Sequence, residues 1–247
     1  MNSAMRSRQS GTQAVILAGG LGTRMRPITE TIPKPMIAVR GKPFLQHQLE
    51  LLTHGGISRA LLLVAYLGDQ IQQYFGDGDK FGCSISYSFE PSPLGTGGAL
   101  KNAEAQLRDY FVLVNGDTYL AIDYAALLQD FQEADCTALI VAYGKPETAS
   151  QDVPASLLPP NLGVSQDGVV TAYRKRNSGG LSHIDAGVIV LEKKILARLP
   201  AGQKCSLEEE IYPQLIAQGE MRAWVTTEPF YDMGSPTGLA ALEEKLA

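Results

Sequence analysis

A four-residue apolar run, Ala14 to Leu17, passes without a break into Ala18-Gly19-Gly20-Leu21-Gly22-Thr23-Arg24-Met25-Arg26-Pro27, and this junction constrains the fold more than any other part of the chain. A buried strand that ends in a glycine-rich loop puts backbone N–H groups at a sheet edge. There glycines let them close on phosphate oxygens, and arginine adds a planar donor fork. A dinucleotide-binding loop would need a third glycine at Met25, and a Walker A loop would need Gly-Lys-Ser/Thr where Thr23-Arg24 stand. Neither requirement is met, so a phosphate loop of another kind is expected.

From Ala14 onward, short apolar runs alternate with amphipathic stretches, the pattern of an α/β domain with a mainly parallel sheet. Strands are expected at Ala14 to Leu17, Ala60 to Tyr66, Cys83 to Phe89, Tyr110 to Val114, Thr137 to Tyr143, His183 to Leu191 and Arg222 to Thr227. Helices are expected after Pro43, where Leu45, Leu49 and Leu52 share a face and Gly55-Gly56 closes it, and over Asp69 to Phe75, Gly98 to Leu107, Asp123 to Ala134, Leu207 to Ala217 and Pro236 to Leu246. Asp167-Gly168 between two apolar segments signals a hairpin, and Gly144 to Pro160, with its prolines, reads as an irregular excursion. No internal repeat is visible.

Composition excludes several classes. Twenty-one basic against 26 acidic side chains leave a net charge of −5, which argues against a basic nucleic-acid-binding surface. The longest apolar run, Ala60 to Leu67, is far short of the roughly 20 residues a membrane span needs. Cys83, Cys136 and Cys205 are widely spaced with no nearby His or Cys, so neither a disulfide framework nor a zinc site is suggested. Residues 1–12 lack the apolar core of a secretory signal and are expected to form a mobile tail on a cytoplasmic protein. A homo-oligomer is left open.

Further motifs follow the loop. Lys34 sits between Pro33 and Pro35, which stiffen its backbone. Asp117, in Val114-Asn115-Gly116-Asp117, follows a central strand, so its carboxylate is expected at the carboxyl edge of the sheet, where open α/β sheets bind ligands. Asp232 stands in Tyr231-Asp232-Met233-Gly234. Hard carboxylate oxygens suit magnesium, which takes only one or two carboxylates beside phosphates.

Read together, L-A-G-G-L-G-T-R-M-R-P, P-K-P-M, P-L-G-T-G-G-A-L, N-G-D and Y-D-M-G-S-P resemble the sugar-1-phosphate nucleotidylyltransferases, also called nucleotide-sugar pyrophosphorylases, over essentially the whole chain from Gln13. The resemblance implies a Rossmann-like nucleotidyltransferase fold: a mixed, mainly parallel central sheet flanked by helices, with a small β-rich lobe on the sugar side. It implies a single domain over 13–247, its nucleotide-side half about 13–143 and its sugar-side half about 144–247. The implied reaction joins an NTP and a sugar 1-phosphate into an NDP-sugar and pyrophosphate with magnesium, for surface glycan biosynthesis.

Carried over by position, the resemblance makes Leu17, Ala18, Gly19, Gly20, Gly22, Thr23, Glu90, Gly95, Thr96, Asn115 and Gly116 nucleotide-binding residues. Arg24 is expected on the departing pyrophosphate, Lys34 on the α-phosphate, and Asp117 and Asp232 on magnesium. Lys175 matches the lysine that meets the sugar phosphate, and Glu208 the acid that reaches sugar hydroxyls, with Asp185 and Gly187 beside them. Relatives commonly carry Glu-Lys-Pro where Arg174-Lys175-Arg176 stand, and Asn-Ala-Gly where Asp185-Ala186-Gly187 stand, so the sugar is left open.

The chemistry asks for cations rather than a base. A phosphate monoester with a second pKa near 6 is already largely dianionic at neutral pH, which fits a chain whose His47, His54 and His183 form no recognisable triad. At the base, members that use thymidine or uridine triphosphates commonly have Gln at the position of Glu90. An ionised carboxylate only accepts, and guanine presents two adjacent donors, so GTP is favoured. The resemblance to short members of the family that share the L-G-T-G-G-A stretch implies a heptose 1-phosphate as acceptor, with mannose 1-phosphate its nearest competitor. Uridylyl, thymidylyl or cytidylyl transfer to another sugar phosphate stays open. So does a non-catalytic nucleotide-sugar binder, although such a protein would be expected to have lost Arg24, Lys34 or an aspartate, and all are present.

Overall fold

The computed structural model describes residues 12–144, 158–175 and 179–247. Residues 1–11 of the expected tail, residues 145–157 of the expected excursion, and Arg176 lie outside the described residues. In chain order the strands are β1 (Gln13–Leu17), β2 (Ala38–Val39), β3 (Lys42–Pro43), β4 (Arg59–Val64), β5 (Ser84–Phe89), β6 (Tyr110–Asn115) and β7 (Thr118–Leu120). They continue with β8 (Ala138–Tyr143), β9 (Leu162–Val164), β10 (Val170–Tyr173), β11 (Ile184–Glu192), β12 (Met221–Thr226) and β13 (Phe230–Asp232). The α-helices are α1 (Phe44–His54), α2 (Gly68–Phe75), α3 (Gly95–Asn102), α4 (Tyr124–Glu133), α5 (Tyr212–Ala217) and α6 (Pro236–Lys245).

One seven-stranded sheet of order β12-β8-β11-β6-β1-β4-β5 organises the molecule. β1 runs parallel to β4 and β6, β4 to β5 and β12 to β8, while β11 is antiparallel to both β6 and β8. The apolar runs are unbroken because both faces are covered, as expected for parallel sheets. Successive side chains then serve opposite layers. Ile16, Leu62 and Val114 pack with Leu45, Leu49 and Phe131 of α1 and α4, whereas Val15, Leu63 and Leu113 pack with Leu100 and Leu215 of α3 and α5. A third apolar cluster, including Phe44, Tyr119, Tyr231 and Leu242, joins α6 to the small β7–β13 ribbon. Among the described residues no helix is long and apolar enough to cross a membrane.

Three expectations are corrected. The helix expected from Gly98 starts at Gly95 and stops at Asn102, and a 3-10 turn, Glu104–Gln106, takes the place of its second half. Its glycines are packing residues: Gly97 and Gly98 donate to the Cys205 carbonyl at 2.9 and 3.3 Å, and a Cβ on Gly98 would stand 2.6 Å from the Gln203 oxygen. The sequence over Cys83 to Phe89 alternates Cys83, Ile85, Tyr87 and Phe89 with serines, an inward-outward pattern that fails at the end of β5, where Ser88 is buried and Phe89 exposed. β5 is an edge strand, and Ser88 is turned in to accept a hydrogen bond from Asn102 Nδ2 at 3.1 Å. The stretch expected as one helix from Leu207 begins as a π-helical turn, Leu207–Ile211, before α5.

Candidate active site

Because β1, β4, β5 and β6 are parallel, the segments that follow them all emerge at one edge of the sheet: the glycine loop after β1, Tyr66 after β4, Glu90 after β5 and Asp117 after β6. β11 runs the other way and delivers its amino end, Asp185 to Gly187, to the same edge. A cleft lies along it. One cavity of about 500 Å³ is bounded by the glycine loop, Glu90 and Thr96. A second of about 390 Å³ continues from it through the shared Leu17, Gly20 and Thr96 to Arg24, Lys34, Asn115 and Asp117.

The loop is set up for anions. Among the described residues the backbone N–H groups of Gly19, Gly20, Leu21 and Gly22 have no acceptor, and an unfilled N–H row at a strand end attracts phosphate oxygens. Ala18 lies behind the loop, buried, its N–H bonded to the Leu63 carbonyl at 2.9 Å. Gly22 takes a left-handed conformation, φ +60°, and turns the chain into the 3-10 turn Thr23–Met25 that carries Arg24.

Two carboxylates meet two cations at the mouth. β13 pairs with β7 so that Asp232 lies opposite Thr118, and the Met233 N–H donates to the Asp117 carbonyl at 2.9 Å. This pairing brings together aspartates far apart in sequence. Lys34, which is buried, donates to Asp117 Oδ2 at 2.5 Å. Arg24, largely exposed, lies 3.9 Å from Asp232 Oδ2, while Asp232 Oδ1 accepts the Gly234 N–H at 2.6 Å. Burial and then the Asp117 charge push the Asp232 carboxyl above the usual carboxylate range, against the pull of the Gly234 N–H, Lys34 and Arg24.

The turn bearing Asp117 is fixed from beneath. Gln48 of α1, buried, donates from Nε2 to the Asn115 and Thr118 carbonyls at 2.8 and 2.7 Å. Gly116 crosses so close to β1 that a Cβ would stand 2.1 Å from the Leu17 oxygen. Gly116→Ala is therefore expected to force the ends of β1 and β6 apart, costing about 1–3 kcal/mol and lowering Tm by several degrees. Thermal denaturation checks this, and an unchanged Tm would mean that the crossing relaxes freely.

In the larger cavity Glu90 is half-buried. Its Oε2 accepts the Leu94 N–H at 2.9 Å, and its Oε1 faces Gly19, where a Cβ would come within 2.9 Å. Burial pushes the Glu90 carboxyl up, and the Leu94 N–H opposes it.

The third part of the cleft holds acids. Glu208 Oε2 accepts from Thr96 Oγ1 at 2.8 Å and Ser206 Oγ at 2.7 Å, and Thr96 Oγ1 accepts the Leu207 N–H at 2.9 Å. Asp185 Oδ1 accepts the Gly187 N–H at 2.9 Å, and Tyr173 donates to Asp185 Oδ2 at 3.4 Å. Burial pushes the Asp185 carboxyl up to about 6, the Gly187 N–H opposing and the Glu208 charge adding. Asp185, Gly187, Asn115 and Glu208 border one narrow space. Gly95 and Thr96 border the large cavity, and Gly22, Thr23, Gly116 and Glu208 the second. Lys175 is not brought into the cleft. It lies at the surface, 3.5 Å from Glu209.

The fold and site define a nucleotide-transferring class, and residues 13–151 match the nucleotidyl transferase family, to which the chain belongs. It is 37% identical over 229 residues to a mannose-1-phosphate guanylyltransferase of Mycobacterium tuberculosis, covering 90% of this chain and 61% of that protein, so it spans about three fifths of that relative's length. It is 34% identical over 232 residues to a D-glycero-alpha-D-manno-heptose 1-phosphate guanylyltransferase of Campylobacter jejuni, covering 91% of this chain and 95% of that one. Among solved structures, HddC from Yersinia pseudotuberculosis complexed with GMP-PN superposes with a TM-score of 0.79 at 32% identity, covering 96% of this chain and 100% of that chain.

Proposed function

We propose that the protein transfers a guanylyl group from GTP to a heptose 1-phosphate, giving a GDP-sugar and pyrophosphate, with magnesium, as a supply step for surface glycan. The observation that carries this is the meeting of Lys34, Asp117, Asp232 and Arg24 between the glycine loop and the Glu208–Asp185 acids. The two guanylyltransferase relatives and the GMP-PN complex support it. The nucleotide belongs to the half formed by 13–143 and the sugar phosphate to that formed by 144–247.

Asp117 and Asp232 fit a magnesium ion: two neighbouring hard carboxylates, one pushed up by burial and then by the other's charge, leave room for phosphate oxygens as remaining donors. Bound there, the ion would supply charge neutralisation and Lewis acidity at the phosphates. The glycine-loop amides hold the β and γ phosphates, and Arg24, exposed and loosely held, stabilises the charge of the departing pyrophosphate. Lys34 lies across the α-phosphate. The sugar phosphate oxygen, ionised without a base, bonds to the α-phosphorus as the bond to the bridging oxygen breaks. Glu208, held by Thr96 and Ser206, accepts from sugar hydroxyls, and Lys175 swings from Glu209 to the sugar phosphate.

Mass spectrometry of products from a matrix of nucleoside triphosphates and sugar 1-phosphates tests the reading, with mannose 1-phosphate beside the heptose phosphate. A GDP-heptose is the expected product. No nucleotide sugar from any pair would overturn transfer itself, and a different product would overturn only the base or sugar. In steady-state kinetics, Arg24→Ala is expected to lower kcat and weaken use of GTP, whereas Lys175→Ala mainly raises KM for the sugar phosphate. Interchanged defects would mean that the two substrates have been assigned to the wrong halves.

A further inference from the structure

The Glu90 cavity contains a second charged side chain that the assignments above leave without a task. Lys204 borders it from the segment that leads to the π-helical turn. Among the described residues Lys204 makes no hydrogen bond or ion pair. Its backbone neighbourhood, by contrast, is fixed: the Cys205 N–H donates to the Leu94 carbonyl at 2.8 Å, and the Cys205 carbonyl accepts the Gly97 N–H at 2.9 Å. Leu94 is the same residue whose N–H is held by Glu90 Oε2. One residue thus ties the segment bearing the acid to the segment bearing the lysine, and both side chains border one cavity of about 500 Å³ whose walls include Leu17, Ala65 and Pro93.

The two charges do not neutralise each other. Among the described residues Glu90 forms no ion pair, its Oε2 accepting the Leu94 N–H, and Lys204 forms none, so the two heads border the cavity without being joined. An acceptor-only group and a donor-only group spaced across an apolar pocket define the ligand edge that fits. Guanine offers two adjacent donors, the N1–H and the 2-amino group, followed by the O6 acceptor. Uracil and thymine have an acceptor on each side of their one donor, so a carboxylate meets an unpaired acceptor. Adenine turns an amino group toward the lysine. We infer that Lys204 is a specificity-determining residue that donates to guanine O6 while Glu90 accepts from N1–H and the 2-amino group. This rests on the guanylyl reading of the same site.

The test uses the full chain and three triphosphates: GTP, ITP, which lacks only the 2-amino group, and 6-thio-GTP, whose sulfur is a weak acceptor in place of O6. Lys204→Ala is expected to lower kcat/KM about tenfold for GTP and for ITP, the scale of one charge-assisted hydrogen bond, and less than about threefold for 6-thio-GTP. Lys204→Arg, which keeps a donor, is expected to stay within about threefold of wild type on all three. Equal losses on all three triphosphates would show that Lys204 serves the phosphates or the fold, and no loss on GTP would show that it serves neither; each result overturns the inference. A wild-type protein that does not use GTP would overturn the guanylyl reading beneath it. GTP turnover with uniform or absent losses would overturn the role of Lys204 alone. Thermal melting of Lys204→Ala, an exposed position, is expected to match wild type.

Discussion

Asp117→Asn and Asp232→Asn are each expected to lower kcat about a hundredfold or more, close to 2.7 kcal/mol of transition-state stabilisation, while the protein stays folded. Asparagine is nearly isosteric, and at position 232 its carbonyl oxygen can still take the Gly234 N–H that Oδ1 takes now. At position 232 stability is expected to hold because burial and the Asp117 charge already push the Asp232 carboxyl up. Removing one charge relieves that repulsion. At Asp117 the cost falls on Lys34, a buried ammonium whose charged partner becomes an amide. Asp117→Asn should therefore melt lower than Asp232→Asn, although both are catalytically crippled. Steady-state rates across a magnesium titration, together with melting curves, separate the two effects. Wild-type-like rates in either variant with chelator present would remove both the aspartates and the metal from the reaction.

Much of this site was legible because its parts are contiguous motifs at strand ends. The glycine loop, Pro33-Lys34-Pro35 and Asn115-Gly116-Asp117 each declare themselves within a few residues, and a parallel sheet must bring strand ends to one edge. Local periodicity does not carry long-range pairing. The β7–β13 ribbon is three residues on each side, too short to alternate recognisably, yet it is what sets Asp232 beside Asp117. Gln48 was missed for a different reason. It lies among Leu45, Leu49 and Leu52 at helical spacing, so a polar residue on the buried face was there to be questioned; its two carbonyl acceptors explain it. Thr96 and Ser206 reach one oxygen of Glu208 from segments 110 residues apart in sequence, and no spacing rule connects them. For Lys175 the motif names the residue and not where its side chain rests, which is beside Glu209 at the surface.

Glu90→Gln is expected to erode a preference for GTP over UTP and dTTP that in the wild type amounts to about tenfold to a hundredfold, the scale on which an unpaired buried polar group costs ~1–3 kcal/mol. The geometry makes the loss specific to the base. Glu90 Oε2 holds the Leu94 N–H, so a glutamine placed there keeps its carbonyl oxygen on that N–H and must turn its amino group into the cavity, toward Gly19, where Oε1 now points. A donor then faces the two donors of guanine. Uracil and thymine, with acceptors on both sides of their single donor, lose the repulsion of the carboxylate and gain a partner. The loop itself should hold, because the bond that ties it is preserved. Magnesium dependence should also be unchanged, since Asp117 and Asp232 belong to the other cavity and its neighbouring ribbon. Competition between GTP and UTP for one sugar phosphate gives the ratio directly. If the wild type uses UTP or dTTP as well as GTP, guanine selection by Glu90 fails while family membership stands. If Glu90→Gln lowers all triphosphates equally, Glu90 acts by holding the loop at Leu94 and not by reading the base.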